Sequence, residues 1–303
     1  MTAPAAPAVA LPGRPPRLPG AAPAGNGGAG GNGSGGTLHW FVRWLDALIG
    51  FIALEKTIIL RNIRISSGGS LAKAFTTPLR LYAIIDAHVY LYWAINRTMP
   101  GTITYLDYNA AAFSLWTLFS AMTHKAVSPM LGAQFNLALN IRWVHLFMAD
   151  FVWELAKVVL GLVLAYGQFI LFPQRSVSPV SLVPDVPLLL AMFVLIGCIG
   201  SGFGLVLAGA KKRWPVIEAG VEAIMWFLFV TSGIYDSYVQ LPPIVADYFR
   251  FNPVMVVIES GRAAFDRGYP VGDLSLTYAA VAALALMAVG LLLRRDRRGL
   301  LPQ

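Results

Sequence analysis

The side chains with chemical potential in this sequence are ionisable residues set inside apolar runs, where each charge is costly in hydrocarbon. Asp150, Glu154 and Lys157 fall at i, i+4 and i+7, which places them on one face of a helix. Such a stripe suits a proton relay. It suits self-pairing against a neighbouring helix better, because Lys157 can neutralise a carboxylate. Asp86 and His88 stand two apart and face different sides of a helix. Glu259 and Arg262 stand three apart in an apolar segment, within pairing reach.

The signatures of hydrolytic chemistry are missing. The sequence has no GxxxxGK[ST] phosphate loop, no GxSxG and no HExxH, and His39, His88, His124 and His145 are scattered. The single cysteine, Cys198, sits in an apolar run, which excludes a disulfide framework and a cysteine metal site. Gly197–Gly204 (GCIGSGFG) looks like a nucleotide loop but has no preceding strand. Gly200 and Gly204 form a GxxxG pair, the signature of closely packed helices. No enzyme chemistry, cofactor or metal is expected in this chain.

The elements that carry these residues are membrane helices. Of 303 residues, 57% are hydrophobic and 13% charged, the balance of a polytopic membrane protein. The formal charge of +8 is not gathered on one basic surface, so nucleic acid is not expected. The fold class is all-α, with six transmembrane helices over about 78–96, 108–124, 145–171, 186–210, 216–235 and 274–293. The second span is short and rich in Asn, Ser and Thr. Residues 1–37, almost entirely Ala, Pro and Gly, read as a disordered head, and 38–303 as the membrane domain. Residues 38–66 alternate apolar and charged positions at helical spacing, which suits an amphipathic helix lying in the membrane interface.

Lys and Arg set the orientation. Arg61, Arg64 and Lys73 precede the first span, Lys125 and Arg142 separate the second and third, and Lys211, Lys212 and Arg213 separate the fourth and fifth. Arg294, Arg295, Arg297 and Arg298 follow the sixth, while 98–107 has none and 172–185 has only Arg175. Both termini are therefore expected to be cytoplasmic.

Between the last two spans lies TSGIYDSYVQLPPIVADYFRFNPVMVVIESGRAAFDRGY, residues 231–269. Leu241-Pro242-Pro243 and Asn252-Pro253 break any helix, leaving short pieces at 244–249 and 254–265. Two re-entrant broken helices at the outer membrane edge explain this better than a solvated loop. Aromatics are plentiful along the spans. An interfacial belt accounts for Tyr105 and Tyr108 and suits Tyr238. Tyr90, Trp93, Trp116, Trp226 and Tyr235 are candidate pathway rings, since Tyr and Trp offer an apolar face and a polar edge to a sugar.

The 231–269 run resembles the membrane subunit of type-2 ABC exporters, specifically the capsular polysaccharide and O-antigen permeases. The matching residues are Ser232, Gly233, Tyr235, Leu241, Pro242, Asn252, Pro253, Ile258, Glu259, Arg262, Phe265 and Tyr269. An interface helix, the Arg61…Arg64 turn and Pro78 are also similar, although Thr77-Pro78 stands where the family has Glu-Pro. The resemblance implies a homodimer in the bacterial inner membrane, working with two copies of a separate ATPase that holds ATP and Mg. It places Arg61, Arg64 and Lys125 at the ATPase contact. Pro242, Asn252, Pro253, Glu259 and Arg262 would form the outer gate of a channel for the polysaccharide, with membrane lipid around it. Periplasmic and outer-membrane export proteins are compatible further partners. The competing readings are a type-2 ABC exporter of a lipid or drug, and an ion-coupled secondary carrier using Asp86 or Asp150 and Glu154.

Overall fold

The computed structural model describes Leu60 and residues 71–128, 143–172 and 185–294. The head, the interface helix except Leu60, Arg61 and Arg64 lie outside the described residues. Every regular element among the described residues is helical: α1 (Leu71–Ala94), α2 (Tyr105–Val127), α3 (Trp143–Leu171), α4 (Val186–Arg213), α5 (Val216–Thr231), a 3₁₀ turn (Tyr238–Gln240), α6 (Pro243–Phe249), α7 (Pro253–Phe265) and α8 (Leu276–Arg294). Two of these helices, Val186–Arg213 and Leu276–Leu293, are long and apolar enough to cross a membrane by length and composition. Helices stand at all six stretches read as spans, but α5, at 16 residues, falls short of the ~20 that a perpendicular crossing needs.

Helix α2, the short polar stretch, is deeply buried. It packs on α1, α3, α4 and α7, and residues 106–115 are all buried. Two of its polar side chains bond within the helix: Asn109 Nδ2 donates to the Tyr105 carbonyl at 2.8 Å and Ser114 to the Ala111 carbonyl at 3.2 Å, while Asn109 Oδ1 is buried without a partner among the described residues. Its first turn is capped by Thr104, whose hydroxyl accepts from the Asp107 amide at 3.1 Å.

The glycine run does pack helices. A Cβ on Gly200 would lie 2.6 Å from the Phe119 carbonyl oxygen, and one on Gly204 2.5 Å from that of Thr123. The backbones of α2 and α4 therefore nearly touch, and Thr123 Oγ1 donates to the Gly200 carbonyl at 3.1 Å across the contact. On its other side α4 packs along α8.

Two boundaries move from their sequence expectation. Helix α1 begins at Leu71, so Pro78 sits inside it and is buried. Helix α5 ends at Thr231, not at 235. Gly233 takes a positive φ of 71°, which closes the helix and which a residue with a Cβ adopts only at a cost. The breaks in 238–265 fall where the prolines put them. Asn252 caps α7 by accepting from the Val254 amide at 3.0 Å, with Pro253 in the first turn.

Candidate functional site

Two regions concentrate polar and aromatic side chains. The first is a buried knot around α7. Arg262 and Glu259 are both 0% exposed and pair at 2.6 Å, Nη1 to Oε1. Glu259 also accepts from the Tyr238 amide at 3.2 Å, the Ser237 hydroxyl at 3.1 Å and the Tyr269 hydroxyl at 2.7 Å. Burial pushes the Tyr269 phenol upward, which keeps it a donor to the carboxylate. Arg262 Nη2 donates to the Ile234 carbonyl at 2.9 Å, and the guanidinium carbon lies 3.6 Å from the centre of the Tyr108 ring.

The same turn, 232–237, is tied from other sides. The Tyr235 carbonyl accepts from Arg97 Nη2 at 2.8 Å and from the hydroxyls of Tyr92 and Tyr108 at 3.2 Å each. Arg97 also pairs with Asp236. Asn252 Nδ2 donates to the Thr231 carbonyl and to Ser232 Oγ, both at 3.1 Å. Thus Asn252, Pro253, Glu259 and Arg262 come together as one framework, while Pro242 is exposed at the start of α6. Tyr108, expected in an interfacial belt, is fully buried beneath Arg262.

The second region is a cavity of about 530 Å³ between α1, α2, α3 and α5. That is within the ligand-sized range. Its wall on α2 reads Phe113, Trp116, Thr117, Ser120 and His124, successive positions on one helical face. Helix α5 contributes Glu222, Met225, Trp226 and Phe229; α1 contributes Thr77, Arg80, Leu81 and Ile84; α3 contributes Glu154 and Lys157. Charge gathers at the Arg80 end, and rings gather at the other. There the ring of Trp116 lies 5.2 Å from Phe229, Phe229 5.3 Å from Tyr235, Tyr235 5.6 Å from His88 in a stacked pair, and His88 4.6 Å from Phe113.

Of the candidate pathway rings, Trp116 and Trp226 line the cavity and Tyr235 joins the ring cluster above it. Tyr90 packs against Phe169 of α3 and Trp93 is 43% exposed near the end of α1; neither is part of the cavity wall. The residues the sequence did not single out are Phe113, Phe229, Arg80 and Glu222. The i, i+3, i+4, i+7 recurrence of rings and hydroxyls from Phe113 to Ser120 was the available signal.

The charged stripe of α3 is internally neutralised. Lys157 Nζ lies 2.6 Å from Glu154, and Lys125 of α2 reaches Asp150 at 2.7 Å and Glu154 at 3.2 Å. The Lys125 ammonium, expected at a partner contact, is thus engaged within the chain. Lys125→Met would leave two carboxylates, Asp150 at 9% and Glu154 at 3% exposure, with one cation between them. The expected loss is about 1.5–3 kcal/mol, read as a lower melting temperature in detergent. An unchanged melting temperature would show that the network contributes nothing.

No family model matches the chain. Two Escherichia coli sequences, each named polysialic acid transport protein KpsM, are 27% identical to it over 107 residues. The likeness is to a transport protein. The match covers 35% of this chain and 40% of the length of each relative.

Proposed function

We propose that this chain is the membrane-spanning permease subunit of an ATP-driven type-2 ABC exporter, and that it moves a polysaccharide outward across the bacterial inner membrane. The observation that carries the reading is the cavity, where Trp116, Trp226 and Phe229 face hydroxyls and charges across one ligand-sized space. Planar rings beside polar groups suit sliding contact with sugar rings, which are apolar on their faces and polar at their rims. The partial likeness to a polysialic acid transport protein supports the same reading.

The subunit works as a homodimer with a separate ATPase, and both termini face the cytoplasm in keeping with the Lys/Arg distribution. The Arg80 end of the cavity then opens inward. The turn 232–237 with α6 and α7 forms its outer closure. Glu222, 82% exposed on an apolar helix, lies on the wall of that open cavity, where water meets its charge. The pairing of its candidate carboxylates weighs against the ion-coupled carrier. Asp150 and Glu154 are occupied by lysines, and Asp86 accepts from Gln168 Nε2 at 3.1 Å.

The test is capture of the chain from its native membrane in mild detergent, followed by identification of what accompanies it. A ~25–30 kDa protein carrying a GxxxxGK[ST] loop is expected. Recovery of the chain alone, folded and in good yield, would overturn the ATP-driven reading.

A further inference from the structure

A path wide enough for a sugar chain would also pass water and ions when idle, so the outer end of the cavity needs a barrier. His88, one of the scattered histidines of the sequence, sits where the rings meet. Its ring lies 4.6 Å from Phe113 of α2, stacks on Tyr235 of the 232–237 turn at 5.6 Å, and meets Tyr92 edge-on at 6.1 Å. Phe229 of α5 closes on Tyr235 at 5.3 Å. Rings from α1, α2, α5 and the turn thus touch in one unbroken set, each pair at a spacing where aromatic rings attract. An apolar constriction of this kind stops ions by excluding water.

The two central rings are held independently. His88 Nδ1 lies 2.7 Å from the Ile84 carbonyl oxygen one turn back, a hydrogen bond that fixes the ring's orientation. Tyr235 is anchored through its backbone carbonyl, which Arg97, Tyr92 and Tyr108 all reach, so its ring is left to pack on His88. We propose that the rings of His88, Tyr235, Phe113 and Phe229 form a seal across the outer end of the cavity, and that His88 is the positioning residue that keeps Tyr235 in it. The proposal rests on the permease reading and its inward-opening Arg80 end. The knot around Arg262 then holds the turn in place, and the rings beneath it bar the path.

Ser120 lines the cavity wall one turn inward of Trp116. It is replaced by Cys (Ser120→Cys) in the full-length chain, kept with any ATPase that accompanies it. A membrane-impermeant maleimide is added to right-side-out or inside-out membrane vesicles, and labelling is read above the background of Cys198. The reagent is expected to reach position 120 from the inner face and not from the outer. His88→Gln keeps a polar side chain but no ring, and Tyr235→Ala spares the anchored carbonyl. Each is expected to admit the reagent from the outer face about tenfold faster, the change in open population that loss of one or two aromatic pairs implies. His88→Phe is expected to stay sealed, because the ring survives without the Ile84 bond. A merely structural role would lower the melting temperature without opening a route from outside. Outer-face labelling that stays slow in both His88→Gln and Tyr235→Ala, or that matches inner-face labelling before either change, overturns the seal while the permease reading stands. A leak in only one of those two variants, or equal leaks through His88→Phe and His88→Gln, overturns the pairing of His88 with Tyr235. Labelling of the Ser120→Cys chain from the outer face alone, or from neither face, overturns the inward-opening cavity, and the seal with it.

Discussion

Arg262→Ala is expected to cost about 3–5 kcal/mol, because it strands a buried carboxylate. Glu259 is 0% exposed, and its remaining donors, Ser237, Tyr269 and the Tyr238 amide, supply hydrogen bonds but no positive charge. The substitution also empties the space of the largest fully buried side chain and frees the Ile234 carbonyl. A loss of that size is a large share of the stability of a folded domain. The variant should therefore melt far below the unaltered chain in detergent and accumulate poorly in membranes. Its loss of export should accompany its loss of protein. Glu259→Leu combined with Arg262→Met should recover part of the stability, since neither charge is then buried alone. Arg262→Ala protein as stable and abundant as the unaltered chain would show that the knot is not what holds the turn 232–237.

Gly204→Ala should be the most damaging single-methyl change. The added Cβ would sit 2.5 Å from the Thr123 carbonyl oxygen and 2.7 Å from Ala126 Cβ. The oxygen belongs to backbone, which cannot rotate away, so α2 and α4 must separate. Separation stretches the Thr123–Gly200 hydrogen bond and loosens the contact along its length. The expected cost is about 1–3 kcal/mol. Gly220→Ala in α5 is the matched control, because a Cβ there meets nothing within 4 Å. It should be neutral or gain up to about 1 kcal/mol from helix propensity. Equal melting temperatures for the two variants would contradict the close approach of α2 and α4.

What the sequence revealed was decided locally. Pro242, Pro243 and Asn252-Pro253 end helices by rules that act within one turn, and the breaks fall where those rules put them. Gly200 and Gly204 announced a close contact without naming its partner, which proved to be α2. The self-paired stripe of α3 was legible for the same reason, since Glu154 and Lys157 share one helix. Lys125 as a fourth member was not, because it arrives from another helix, 25 residues before Asp150. Tyr108 was misplaced on similar grounds. A tyrosine near a span end suits the interface by composition, and only the packing of α7 on α2 buries it under Arg262. The cavity depends on four helices meeting, so its rings were visible as types but not as neighbours. Tyr90 and Trp93 share the chemistry of Trp116 and lie off the cavity wall.

Helix α5 is fastened unevenly. Its C-terminal end is clamped through Asn252 and the turn that follows, and its N-terminal end carries a Lys211–Glu218 pair to α4. Between these, Val221 and Met225 are its buried residues, and its contact with α4 is slight beside that of α2 or α8. The Trp214-Pro215 turn also joins the N-terminal end directly to α4, so α5 is a rod held at both ends with little packed against its middle, and it yields most easily by bowing or rolling there. Such a movement carries Glu222 and Trp226 toward or away from the α2 wall and leaves the α2–α4–α8 stack untouched. The bore of the cavity can thus change width in step with events at the Lys211 end, without the core of the subunit having to yield.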